Sequence, residues 1–274
     1  MFRLLVQELK FRRNAIIGWG LGLCFFPLMY IGIYPSVADE MAAFADLTEI
    51  YQAMGMSIGT FADWIGSIMI VLFPLVIAIF AIGNGTGTLA GEEEDGRLEM
   101  LVTLPLPRWQ IVTAKALALA ISSALIYLIV SLATWLVFLG IESQIETELA
   151  GLDMFTVVMA SWPFVFALGM IAMFLGAFCS SRRFATMIAT AILVVSYFGS
   201  NLAASTPLLE PFEPFFLNTY LDGTGKAIAE GQQIWNIMVL LAIGVVAFEL
   251  TLIFFQIRKL TVGAWPWQRD GVEE

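Results

Sequence analysis

Histidine is absent from this sequence. That removes the commonest metal ligand and the commonest general base near neutral pH. Cysteine occurs twice, at Cys24 and Cys179, each in or beside an apolar segment and far from the other. Such thiols read as buried side chains rather than as a disulfide or a metal site. Charge is scarce as well: 13% of the residues are Asp, Glu, Lys or Arg, against about a quarter in a soluble domain. With 59% hydrophobic residues and a mean hydropathy of +0.87, the chain cannot clothe its own surface in polar groups, so lipid is its expected solvent. A net charge of −10 argues against a nucleic-acid partner, which requires a basic face. No G-x-x-x-x-G-K-[ST] stretch occurs. The glycine-rich run Gly83-Asn84-Gly85-Thr86-Gly87-Thr88 lacks the lysine that would hold phosphates. Flexibility or close helix packing is its expected use.

What the sequence has in abundance is long apolar runs. Six stand out, at about 14–34, 64–83, 111–140, 154–178, 184–204 and 234–257. Each is long enough to cross a hydrocarbon core of about 30 Å. Helices are the expected form, because backbone left unpaired in lipid is not tolerated. The alternating pattern of a membrane barrel is missing. The fold class is therefore all-α integral membrane with six transmembrane helices, and residues 1–274 form one transmembrane domain. No internal repeat or low-complexity tail interrupts it.

Orientation follows from the basic residues. Every lysine and arginine except Lys226 falls before the first span, around the second-to-third connection, between the fourth and fifth spans, or after the sixth. The positive-inside rule then places both termini in the cytoplasm. Ser36-Val37-Ala38 resembles a signal-peptide cleavage site, but the apolar run before it is longer than a typical signal core. Phe2, Leu5, Val6 and Leu9 share one helical face, which predicts a short amphipathic surface helix over Phe2–Arg13, its basic residues toward anionic headgroups. On the outer side, Thr206–Gln233 carries Pro207, Pro211 and Pro214 among phenylalanines. It reads either as broken short helices dipping into the bilayer or as an ordinary packed cap.

The most polar stretch, GEEEDGRLEMLVTLPLPRW from Gly91 to Trp109, sits between the second and third spans. Asp95-Gly96 reads as a turn. Arg97–Leu104 reads as a short cytosolic helix, with Leu98, Leu101 and Val102 on one side and Pro105 and Pro107 ending it. Acids ahead of that helix would favour its positive end. The stretch resembles the first cytoplasmic loop of type-2 ABC transporter permeases, which commonly reads as a glutamate-rich start, then G-T-L-E-x-L-L, then a proline and a basic residue before a lysine-bearing third span. Here the matching residues are Glu92, Glu93 and Glu94, then Gly96-Arg97-Leu98-Glu99-Met100-Leu101, then Pro105 and Arg108, then Lys115. Arg97 stands where the family usually has threonine.

This resemblance implies the transmembrane permease subunit of an ATP-driven exporter, in a prokaryotic inner or plasma membrane. It implies a second permease subunit, the same or related, and a separate ATP-binding-cassette subunit that carries ATP and Mg. The chain itself would bind no cofactor and no metal and would have no catalytic residue. Arg97–Leu104 would be the coupling helix, with Glu92, Glu93, Glu94, Arg97, Leu98, Glu99, Leu101, Pro105 and Arg108 as the ATPase-coupling residues. The alternatives are an intramembrane CAAX-type glutamate protease, suggested by E-E-x-x-x-R over Glu92–Arg97 but lacking the histidines that such enzymes need, and a non-transporting membrane scaffold. Candidate substrate-path residues within the spans are Phe25, Met29, Asn201 and Glu249. Glu249 alone is an acid well inside a span, where an ionisable group is a functional candidate, and pairing with Arg258 is the competing reading.

Overall fold

The computed structural model describes residues 1–43, 61–95, 106–145, 147, 149–222, 228 and 231–257, the side chains of 38–43 and 67 excepted. Among these residues there is no strand. Six helices are long and apolar enough to span a membrane: Phe2–Val37, Phe61–Glu94, Arg108–Gln144, Gly151–Phe178, Arg182–Ser205 and Ile234–Ile257. They are called the first to sixth spans below. The sixth coincides with its sequence-derived limits, and the others extend beyond theirs.

Prolines stand at three interruptions inside these helices. A helical proline cannot donate to the carbonyl four residues back, and its ring crowds that carbonyl. Pro27 has this relation to Leu23, and the helix Phe2–Leu23 gives way at Cys24 to a second helix, Phe25–Ala43. Pro74 has it to Ile70, inside the π-helical stretch Gly66–Leu72 that precedes Phe73–Thr86. Pro163 has it to Met159, and the fourth span is broken at Ser161 between Gly151–Ala160 and Trp162–Phe178. The buried Ser161 hydroxyl donates to the Val158 carbonyl at 2.8 Å, satisfying one backbone group at the break.

Side-chain contacts set the register of the bundle. The first span runs antiparallel to the second, through Arg12 with Asn84, Trp19 with Phe80, Phe26 with Phe73 and Tyr34 with Phe61. From Arg12 to Tyr34 this ladder covers roughly 33 Å at the helical rise of about 1.5 Å per residue, a full membrane thickness. The third span is antiparallel to the second through Phe61 with Phe138 and Phe73 with Tyr127. The second and fourth spans approach closely. A Cβ on Gly85 would lie 2.7 Å from the Gly169 carbonyl oxygen, and one on Gly176 would lie 3.1 Å from that of Thr86. The glycines therefore serve backbone proximity, as small residues do in membrane helix contacts. The sixth span packs on the fourth, where Gly244 faces Phe166 and Phe254 meets Phe174 and Phe178.

Two sequence expectations are corrected. The separate surface helix over Phe2–Arg13 is not delimited: Phe2–Leu23 is one helix, and it stands alongside the third span from Glu8 at Lys115 to Gly20 at Ile129. Glu8 and Arg12 find polar partners on neighbouring spans, which fixes this helix against the bundle. The Gly83–Thr88 run, expected to serve flexibility or close packing, is helical, first in Phe73–Thr86 and then in the π-helical Gly87–Gly91, and packs closely at Gly85. Finally, Glu92–Glu94 forms the last helical turn of the second span, where a connection ahead of the Arg97–Leu104 helix was expected.

At the opposite end, the segment after the fifth span folds back onto the bundle. Its 3-10 helices, Glu210–Phe215 and Leu217–Tyr220, lie beside the upper fifth span. The Leu217 amide donates to Ser196 Oγ at 3.3 Å, and Asn218 Nδ2 donates to Ser200 Oγ at 3.1 Å. These serines lie roughly 8–14 Å below the end of the fifth span at Ser205, by helical rise. The segment thus forms broken short helices packed on the fifth span.

Candidate functional site

One end of the bundle gathers basic and acidic residues from four different spans. Lys115 is its centre. The side chain is fully buried, and its Nζ donates to Glu8 Oε1 and to Glu92 Oε1, each at 2.7 Å. The three groups come from the third, first and second spans. A cation inside an apolar helix must be compensated by nearby anions, and here two carboxylates share one ammonium.

The same physics explains why the glutamates need help. They occupy the C-terminal turn of a long helix, where the backbone dipole disfavours negative charge. Glu92 is compensated by Lys115. Glu94 reaches the start of the fifth span, where its Oε1 accepts the Arg182 amide hydrogen at 2.7 Å. That is the positive end of a helix, so the bond is charge-assisted and dipole-favoured. Glu93 is buried.

A second layer fixes Arg12 and Arg182 against the C-terminal end of the second span. Arg12 Nη1 donates to Asn84 Oδ1 at 3.0 Å and Nη2 to Thr88 Oγ1 at 2.9 Å. Asn84 Nδ2 donates to the Phe80 carbonyl, which leaves its amide oxygen facing the guanidinium. Arg182 lies across Gly87 and Gly91: a Cβ on either would come within 3.2 Å of its side chain. Its Nη2 donates to the Gly83 carbonyl at 3.4 Å. Nearby, the Thr86 and Thr186 hydroxyls share a hydrogen bond of 2.9 Å between the second and fifth spans. Arg108, at the start of the third span, donates to the Phe255 carbonyl at 3.4 Å and lies 6.0 Å over that ring, tying in the sixth span. Beside this network is a cavity of about 1000 Å³.

Of the expected coupling residues, Glu92, Glu93, Glu94 and Arg108 belong to this end of the bundle. Arg97, Leu98, Glu99, Leu101 and Pro105, with the whole Arg97–Leu104 helix, lie outside the described residues. The substrate-path candidates do not converge. Phe25 and Met29 are exposed on the first span. Asn201 donates to the Tyr197 carbonyl one turn back in its own helix. Glu249 is exposed on a face shared with Val246, Leu250 and Ile253, and its expected partner Arg258 is outside the described residues. None of the four lines the cavity. Sequence reasoning missed Glu8 and the partnerships of Arg12 and Arg182. A usable signal was present: Glu8 is the sole acid before Asp39, and Lys115 is a cation in an apolar run with no acid nearby in sequence. Among the described residues, no cluster of His, Cys, Asp and Glu is arranged to hold a metal ion.

Six apolar helices in mutual register, with a charged joint at one end, define a multi-pass integral membrane protein. The chain belongs to the ABC-2 family transporter proteins, whose family model matches residues 3–260. It is thus an ABC transporter permease, of a kind that normally leaves ATP hydrolysis to a separate ATP-binding-cassette subunit. No curated protein matches the chain.

Proposed function

We propose that this permease couples to its ATP-binding-cassette subunit through the acidic end of the second span and the adjoining 97–104 segment, and that it works as an exporter. Two permease subunits, identical or related, would form the path, each seated on one ATP-binding subunit that holds ATP and Mg. The charged end of the bundle would face the cytoplasm of a prokaryotic cell, in keeping with the distribution of lysine and arginine. Family membership favours this reading over an intramembrane protease or a scaffold.

The observation that carries the coupling is the shared ammonium of Lys115. A push on the segment after Glu94 reaches Glu92 within one helical turn. From Glu92 it passes through Lys115 to the third span and through Glu8 to the first. Three helices would then move as one body, as rocking between two packed arrangements requires. ATP would drive the change by binding one arrangement better than the other.

The test is purification in mild detergent with identification of co-purifying subunits, followed by ATPase and transport assays in proteoliposomes. Glu99→Lys is expected to weaken docking and uncouple ATP hydrolysis from transport. Full assembly and full coupled transport in that variant, or the absence of any ATP-binding subunit from the native complex, would refute the proposal.

A further inference from the structure

We propose that the cavity at the charged end of the bundle is a binding site for a singly charged phosphodiester, supplied by the headgroup of an anionic phospholipid. Arg3, Arg12 and Arg182 all line it. Arg12 is held in place by neutral acceptors, Asn84 and Thr88, and Arg182 by the Gly83 carbonyl. Among the described residues, neither guanidinium forms an ion pair with a carboxylate. Each is therefore fixed while most of its N–H donors stay uncommitted, and guanidinium groups are suited to paired hydrogen bonding with phosphate oxygens. Gly87 and Gly91 supply the room: a side chain at either position would press on Arg182.

Glu8, Glu92 and Asp95 line the same cavity. The Oε1 atoms of Glu8 and Glu92 are turned to Lys115, and with Asp95 these three carboxylates face four cations, Arg3, Arg12, Arg182 and Lys115. The formal charges at the site sum to +1, which matches a monoanionic diester better than a dianionic or polyphosphate ligand. The lipid source follows from the apolar residues beside the guanidiniums. Phe11, 77% exposed, lines the cavity together with Leu4 and Leu106. A headgroup seated on Arg12 and Arg182 would leave these apolar side chains for its acyl chains.

The experiment uses the full chain in a neutral maltoside detergent and follows thermal unfolding while dioleoyl phosphatidylglycerol, or its soluble headgroup diester glycerophosphoglycerol, is titrated. The lipid is expected to give a saturating rise in Tm. Arg12→Gln/Arg182→Gln should weaken the apparent affinity at least tenfold. Arg13→Gln/Arg183→Gln removes the same charge from exposed neighbours that do not line the cavity and should change the affinity less than twofold. Arg182→Gln alone, which leaves the Arg12 network intact, guards against misfolding of the double variant and should also weaken binding severalfold. Equal weakening by both double variants would mean general surface attraction and would overturn the site, as would the absence of a shift with either probe. A soluble diester that matches the lipid would overturn the lipid source. No ATP-binding subunit is needed, so failure here leaves the coupling proposal standing.

Discussion

Replacing Lys115 with methionine removes one ammonium and strands two carboxylates. The Glu8 and Glu92 Oε1 atoms each lie 2.7 Å from Nζ, so they are no farther apart than twice that distance. The side chains are 12% and 19% exposed, and Lys115 is at 0%. Removing one member of a buried ion pair costs about 3–5 kcal/mol, because the remaining charge is left desolvated and unpaired. Partial access of both glutamates to the polar cavity lets them recover some hydration, which points to the lower part of that range, about 3 kcal/mol. That is a large fraction of a typical folding stability of about 5–15 kcal/mol. The neutral triple variant Glu8→Gln/Lys115→Met/Glu92→Gln strands no charge and should lie within about 1 kcal/mol of the parent, since a well-packed neutral replacement of a buried cluster is often isoenergetic. Equilibrium unfolding in mixed micelles of increasing denaturing detergent measures both variants. The reasoning fails if Lys115→Met costs less than about 0.5 kcal/mol, the range of ordinary surface substitutions, or if the triple variant is as unstable as the single one.

Gly85→Ala should destabilise the protein by about 1–3 kcal/mol through overpacking against the Gly169 carbonyl. Gly18→Ala, which meets nothing within 4 Å, should be neutral or slightly stabilising in the same unfolding assay. Ser196→Ala/Asn218→Ala removes both side-chain links to the segment after the fifth span. At about 0.5–1.5 kcal/mol per hydrogen bond, it should speed amide exchange over residues 210–220 and leave the charged end unchanged. Glu249→Gln removes the charge from an exposed face. Preserved expression and transport are expected, and lost transport at normal expression would assign Glu249 a direct role.

Much of the architecture was legible because a lipid solvent imposes local rules. The run from Ile234 to Ile257 had its limits written in hydropathy, and the helix ends at the same residues. The use of small residues near Gly85 was also readable, although not the partner helix that they meet. The acidic stretch was read less well. Its negative charge pointed to the positive end of a following helix, yet Glu92 and Glu94 close the second span and find compensation in Lys115 and the Arg182 amide. Partners that lie 23 and 88 positions away leave no local pattern. The N-terminal helix was misjudged for the same reason. Its amphipathic spacing suits either a lipid surface or a polar joint, and only the neighbouring spans discriminate between them.

The sequence by itself determined that this is a helical membrane protein with six spans, because apolar length and the need to pair every backbone group in lipid leave no other form. It also marked one set of connections as basic, since charge placement is a property of the linear chain. Only the tertiary structure decided that Glu8, Lys115 and Glu92 share one buried site, that Arg12 and Arg182 flank the same helix end, and that Leu217 and Asn218 return to the fifth span. Each of these is a pairing across distant segments, selected by the cost of a buried charge or polar group left without a partner.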